Sequence, residues 1–99
     1  MNEINLIVEN NQVVVSSRQI AETFNKDHKH VMESIRNLTV ENSAVKKYFF
    51  QSTYINNRGR EYPMFLMNRD GFTLLAMGFN GKEALQWKLK YIEEQILLF

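Results

Sequence analysis

The feature that most constrains this chain is a change of hydrophobic period partway along it. From residue 17 to 38 the apolar side chains recur at helical spacing: Ile20, Ala21 and Phe24, then Val31, Met32, Ile35 and Leu38. Soon afterwards the pattern becomes β-prone. Tyr48–Ile55 and Glu61–Met67 flank Asn56-Asn57-Arg58-Gly59-Arg60, a turn-forming stretch, and read as a hairpin. A sequence of one period does not settle into the other structure, so two helices and a hairpin must share a core. With 99 residues there is room for one such core and one domain.

The flanking segments complete the order. Ile4–Val8 and the β-branched Gln12–Val15 predict a first hairpin, with Asn10-Asn11 at its turn because Asn tolerates positive φ. Ser16 and Gln19 have the spacing of a capping box, which starts the first helix. Asn25-Lys26-Asp27 is a short turn, with Asp27 placed to cap the second helix, and residues 39–47 read as a loop with a helical turn. Pro63 predicts an edge position for its strand. Asn68 caps a helix through Met77, which Gly78 is expected to end in the left-handed conformation. Asn80 and Glu83 open a long helix towards the C-terminus. The order ββ-αα-ββ-αα is α+β. A helix pair followed by a hairpin is the pattern of a winged helix-turn-helix, which predicts a single DNA-binding regulatory domain over residues 1–99.

Charge and composition bear on partners. The net charge is +1, yet residues 17–69 hold nine bases and five acids, and the remainder three bases and six acids. A basic centre of this kind suits phosphate. The chain has no cysteine, which excludes disulfides and thiolate sites and fits a reducing compartment. No apolar run approaches the ~20 residues that span a bilayer, so the expected location is the cytoplasm, with no membrane partner.

In the helix pair, the first helix is expected to brace and the second to read the major groove. A step of ~100° per residue from the Val31/Ile35 anchor puts Lys29, His30, Glu33, Arg36 and Asn37 outward. Asn suits adenine, Arg or Lys suits guanine, and Glu suits cytosine. Arg18 is added from the first helix. Arg58 and Arg60, on a flexible turn, form a wing for phosphate or the minor groove, and Tyr54 and Tyr62 buttress its stem. His28 and His30, two apart with no completing ligands, predict no metal site. His28 is read as structural. No nucleophile motif, paired carboxylates or phosphate loop is present, so neither an enzyme nor a cofactor is expected.

In the last helix, Leu85, Leu89, Ile92, Ile96 and Phe99 follow heptad-like spacing, and Ala84, Trp87, Tyr91 and Leu98 form a second stripe. One stripe is expected to pack on the domain and the first to form a homodimer interface. The alternative is that both are core.

The run Tyr62-Pro63-Met64-Phe65-Leu66-Met67-Asn68-Arg69-Asp70-Gly71-Phe72-Thr73-Leu74-Leu75-Ala76-Met77-Gly78-Phe79 resembles the signature of the phage regulatory Rha family. So do Ser17-Arg18-Gln19-Ile20-Ala21, His28-Lys29-His30-Val31, Phe50, Ser52, Tyr54, Gly59-Arg60, Gly81-Lys82 and Tyr91-Ile92. The resemblance spans roughly residues 13–95 and implies a phage or prophage origin, a bacterial host cell and a regulatory role. Larger members carry a further C-terminal region of the kind found in phage antirepressors, which leaves open whether this chain stops before one. Reading of double-stranded DNA is inferred from the helix pair and hairpin instead. The alternative function is an antirepressor-like module whose target is a phage or host regulatory protein, such as a repressor.

Overall fold

In the computed structural model, which describes residues 6–9 and 11–94, Ser16 is both the end of a strand and the start of a helix. Strands β1 (Ile7–Glu9) and β2 (Gln12–Ser16) pair antiparallel, with Val8 opposite Val13. Asn11 takes a φ of 64°, a conformation Asn tolerates better than most residues. The Ser16 hydroxyl then accepts the Gln19 N–H at 3.1 Å and caps α1 (Ser17–Thr23).

Asn25, at φ 52°, turns the chain into α2 (His28–Glu41). Asp27 holds the cap position of α2, but its side chain makes no capping hydrogen bond. α2 continues through residues 39–41, where a loop was expected, and a 3₁₀ segment, Ser43–Tyr48, follows. Asn42 separates the two and caps the second, accepting the Ala44 N–H at 2.9 Å.

Strands β3 (Phe49–Ile55) and β4 (Glu61–Met67) form the second hairpin, and the sheet order is β1-β2-β4-β3. β2 pairs with β4 at Val15↔Met67 and Ser16↔Leu66. Of the second hairpin, the strand at the sheet edge is therefore β3 and not β4. β4 is enclosed at its C-terminal end, while Pro63 lies where β2 no longer pairs, so its missing N–H costs no ladder bond.

Asn68 caps α3 (Arg69–Met77) by accepting the Gly71 N–H at 3.0 Å. A Cβ on Gly71 would stand 2.8 Å from the Tyr48 carbonyl oxygen, so glycine is what lets α3 close on the end of the 3₁₀ segment. Gly78 is right-handed (φ −85°, ψ −7°) rather than left-handed. Its N–H bonds to Leu75 O at 3.1 Å, a tight last turn that needs no left-handed residue. α4 (Lys82–Glu94) follows Gly81, whose φ is +105°.

Val15, Phe49 and Met67 lie in register on one face of the sheet and join Ile20, Phe24, Val31, Ile35, Phe72 and Trp87 in a single buried cluster. Trp87 meets Phe72 and Phe24 edge-on, with centroids 5.4 and 6.4 Å away, and stacks on Tyr91 at 5.6 Å. The protein is thus α+β: a small antiparallel sheet with helices packed against it.

Candidate nucleic-acid interface

The outer face of α2 follows from its inner one. Val31, Met32 and Ile35 are buried, so the residues a half-turn away must face out. Lys29, His30, Glu33, Arg36 and Asn37 are all exposed. Three of them border different clefts. Arg36 borders a cleft with β3 and β4, Asn37 one with Leu74 and Leu75 of α3, and His30 one with Asn80 beyond it. His30 Nδ1 lies 3.8 Å from the exposed Asp27 carboxylate. Between these flanks stands Val40, which is 83% exposed. The helical pattern had passed over it because α2 was expected to end earlier.

The hairpin tip is more ordered than a flexible turn. The Asn56 side-chain oxygen accepts the N–H of Arg58 at 3.0 Å and of Arg60 at 2.9 Å. Asn56 N–H in turn donates to Arg60 O at 2.9 Å, and Gly59 supplies the positive φ of 76°. Both arginine side chains stay exposed on this fixed frame.

The helix pair and the hairpin stem are tied through Ser17 and Tyr54. The fully buried Ser17 hydroxyl lies 2.8 Å from His28 Nε2 and accepts the Phe65 N–H at 3.0 Å. Arg18 lays its guanidinium over the Tyr54 ring, 4.0 Å from the centroid. Tyr54 stacks on Tyr62 at 5.8 Å and takes His28 edge-on at the same distance. Burial, and then the Arg18 and Arg36 charges, lower the His28 pKa below the ordinary imidazole value. His28 is thus packed and hydrogen-bonded, as its structural reading required. Sequence reasoning placed Tyr54 and Tyr62 on the stem but missed the Ser17 junction, since a buried serine at a helix start carries no pattern of its own.

On α4 the two stripes part. Ala84 and Trp87 are buried and Tyr91 is half-buried, whereas Leu85, Leu89 and Ile92 are 57%, 45% and 69% exposed. Ile96 and Phe99 of the expected seam, and Leu98 of the other stripe, lie outside the described residues. No helix among the described residues is long and apolar enough to cross a membrane.

Residues 15–95 match the family of phage regulatory protein Rha. The chain belongs to that family. Among relatives of this Rha-family chain is an uncharacterised protein of Haemophilus influenzae strain Rd, 32% identical over 83% of the chain and 49% of its own length. A 22.8 kDa protein from the gp15–gp3 intergenic region of Salmonella phage P22 is 34% identical over 82% of the chain and 42% of its own. An antirepressor-like protein of the SPbeta prophage in Bacillus subtilis strain 168 is 26% identical over 92% of the chain and 38% of its own. The Rha-family chain therefore spans less than half the length of each of these relatives. No solved structure matches it.

Proposed function

We propose that this chain is a winged helix-turn-helix regulator that binds duplex DNA, with α2 in the major groove and the β3–β4 tip as the wing. The observation that carries this reading is the shared exposure of Arg18, Lys29, His30, Glu33, Arg36, Asn37, Arg58 and Arg60 on a helix pair and the hairpin that follows it. The strand order β2-β4-β3, with β2 entering the helix pair and β3–β4 leaving it, supports a wing that extends the sheet beside the reading helix. Asn37 is assigned to adenine, Arg36 to guanine, Glu33 to cytosine and Lys29 to phosphate, while the exposed Val40 suits a thymine methyl. The arginines of the wing are placed on the backbone or in the minor groove. Leu85, Leu89 and Ile92 are assigned to a homodimer contact, which matches a reader of two-fold symmetric sites.

A second reading is favoured by the SPbeta relative, whose name places it among antirepressors. In that reading the exposed faces meet a repressor protein rather than DNA. A salt titration of binding to random duplex separates the two. Several Lys and Arg contacts to phosphate should make log affinity fall steeply and linearly with log salt. A chain that targets protein alone gives no measurable duplex affinity even at low salt, and that result would sink the DNA reading.

A further inference from the structure

We propose that the outer edge of β3 docks an extended segment of a partner protein, which adds a strand to the sheet and carries carboxylates at both its ends. The inference stands on the hairpin's register and not on the DNA reading.

The register decides which backbone groups face outward. Asn56 N–H donates to Arg60 O at 2.9 Å and Asn68 N–H to Tyr48 O at 3.2 Å, in phase with the pairs Tyr54↔Tyr62 and Phe50↔Leu66. Hydrogen-bonded and non-hydrogen-bonded pairs alternate along an antiparallel ladder. Phe50, Ser52 and Tyr54 therefore bond to β4, and Gln51, Thr53 and Ile55 turn their N–H and C=O the other way. Two further bonds fix this phase. Phe65, opposite Gln51, sends its N–H away from β3 to the Ser17 hydroxyl, and Phe49 sends its own out to Lys46 O. The sheet ends at β3, so no strand among the described residues takes up the outward groups.

Edges of this length are normally blunted by charge, proline or a bulge. β3 has none of these. Its register runs unbroken from Phe49↔Met67 to Ile55↔Glu61, and residues 48–57 contain neither a charged residue nor proline. It presents an intact template for strand addition.

The surroundings select the occupant. Arg36, Val40, Lys46 and Gln51 border a cleft beside the strand, and Arg36 borders the adjoining one with Ser52 and Thr53. No acid among the described residues borders either cleft. The nearby Glu61 carboxylate accepts from the Thr53 hydroxyl at 3.2 Å. Lys46 and Lys47 precede β3 and Arg58 follows it. A second copy paired antiparallel about Thr53 would bring lysine and arginine ends together at both ends of the pair, where like charges destabilise. A foreign strand with acidic ends meets attraction instead.

The test is amide hydrogen exchange on the ¹⁵N-labelled chain, with a blocked synthetic peptide, Asp-Glu-Val-Thr-Val-Thr-Val-Glu-Asp, and a control in which lysines replace its acids. The acidic peptide should slow exchange at Gln51, Thr53 and Ile55 by about tenfold or more and leave Phe50, Ser52 and Tyr54 unchanged, and the lysine peptide should do neither. Gln51→Pro removes an outward N–H that the ladder does not use, so it should keep its melting temperature and bind about tenfold more weakly. If Gln51→Pro unfolds the chain, the exchange pattern of the unaltered protein decides alone. Equal protection by both peptides, or protection elsewhere, overturns the proposal. So does protection in the free chain that grows with its own concentration, which would give the edge to a second copy.

Discussion

The Ser17 hydroxyl lies 2.8 Å from His28 Nε2, and this one bond joins the start of α1 to the start of α2. With His28 neutral, the Ser17 hydroxyl shares one hydrogen bond with Nε2, in a direction set by the ring tautomer, while it accepts the Phe65 N–H and lies 3.5 Å from Met32 Sδ. Burial and the Arg18 and Arg36 charges favour that neutral form and lower the His28 pKa in the folded state. The unfolded chain, with an ordinary imidazole near 6.5, then binds more protons than the folded one just below that pH. Stability should be fully present above about pH 6.5 and fall as the pH drops from there towards the lowered folded value. Urea melts at stepped pH check this. His28→Gln should flatten the slope in that window, and an unchanged slope would show that His28 does not carry it.

Ser17→Ala tests the same junction without a titrating group. It leaves the Phe65 N–H and His28 without their partner, so the expected loss is about 1–3 kcal/mol in a denaturant melt. Ser17→Thr keeps the hydroxyl but adds a methyl at a fully buried site, and should not restore full stability. A neutral Ser17→Ala would mean that water replaces the hydroxyl.

Much of this fold was legible because its signals were local. Ser16 with Gln19, Asn68 with its helix, and the turn at Asn25 each depend on residues within one helical turn, and each formed in place. What was not legible depended on distance. The two stripes of α4 differ in the sequence by little, and only the position of Phe24 and Phe72 makes Trp87 core and leaves Ile92 outside. The edge position moved from β4 to β3 because β2 comes from the other end of the chain to pair at Leu66 and Met67. Ser17 reaches Phe65 across 48 positions. The exposed candidate residues were legible as a face of α2, but their division among separate clefts was set by α3 and the hairpin.

The outer face of α2 yields two different signatures. Asn37→Ala should cost about 1–3 kcal/mol on the preferred duplex and relax specificity at one position. Lys29→Ala should weaken all duplexes alike and reduce the salt slope by about one. Competition binding with preferred and random duplexes reads both. If neither change alters affinity, α2 is not the reading helix.

For the wing, Arg58→Ala with Arg60→Ala should lower duplex affinity while the melting temperature holds. The tip's hydrogen bonds come from Asn56 and from backbone N–H groups, which both substitutions retain. Surface changes of this kind usually stay within about 0.5 kcal/mol of stability. Asn56→Ala is the contrasting variant, since it removes the oxygen that holds both N–H groups and should loosen the tip. A large fall in melting temperature for the double arginine variant would make these arginines structural.

Leu85, Leu89 and Ile92 give the last prediction. They line one face of α4, each at least 45% exposed, while Ala84 and Trp87 on the inner face are buried. Large apolar side chains left in water along one stripe raise the free energy of a monomer, and a second copy relieves it by covering them. Two linked copies also gain avidity on half-sites about one helical turn apart, without a new contact to DNA. Sedimentation equilibrium at micromolar concentration should therefore give a dimer mass. Leu89→Glu with Ile92→Glu should return it to the monomer, and the melt should remain cooperative because neither side chain belongs to the buried cluster. Duplexes with two half-sites should then lose most of their advantage over duplexes with one. A monomer mass for the unaltered chain at every concentration would remove the interface. Unfolding of the double variant would instead place the stripe against part of its own chain.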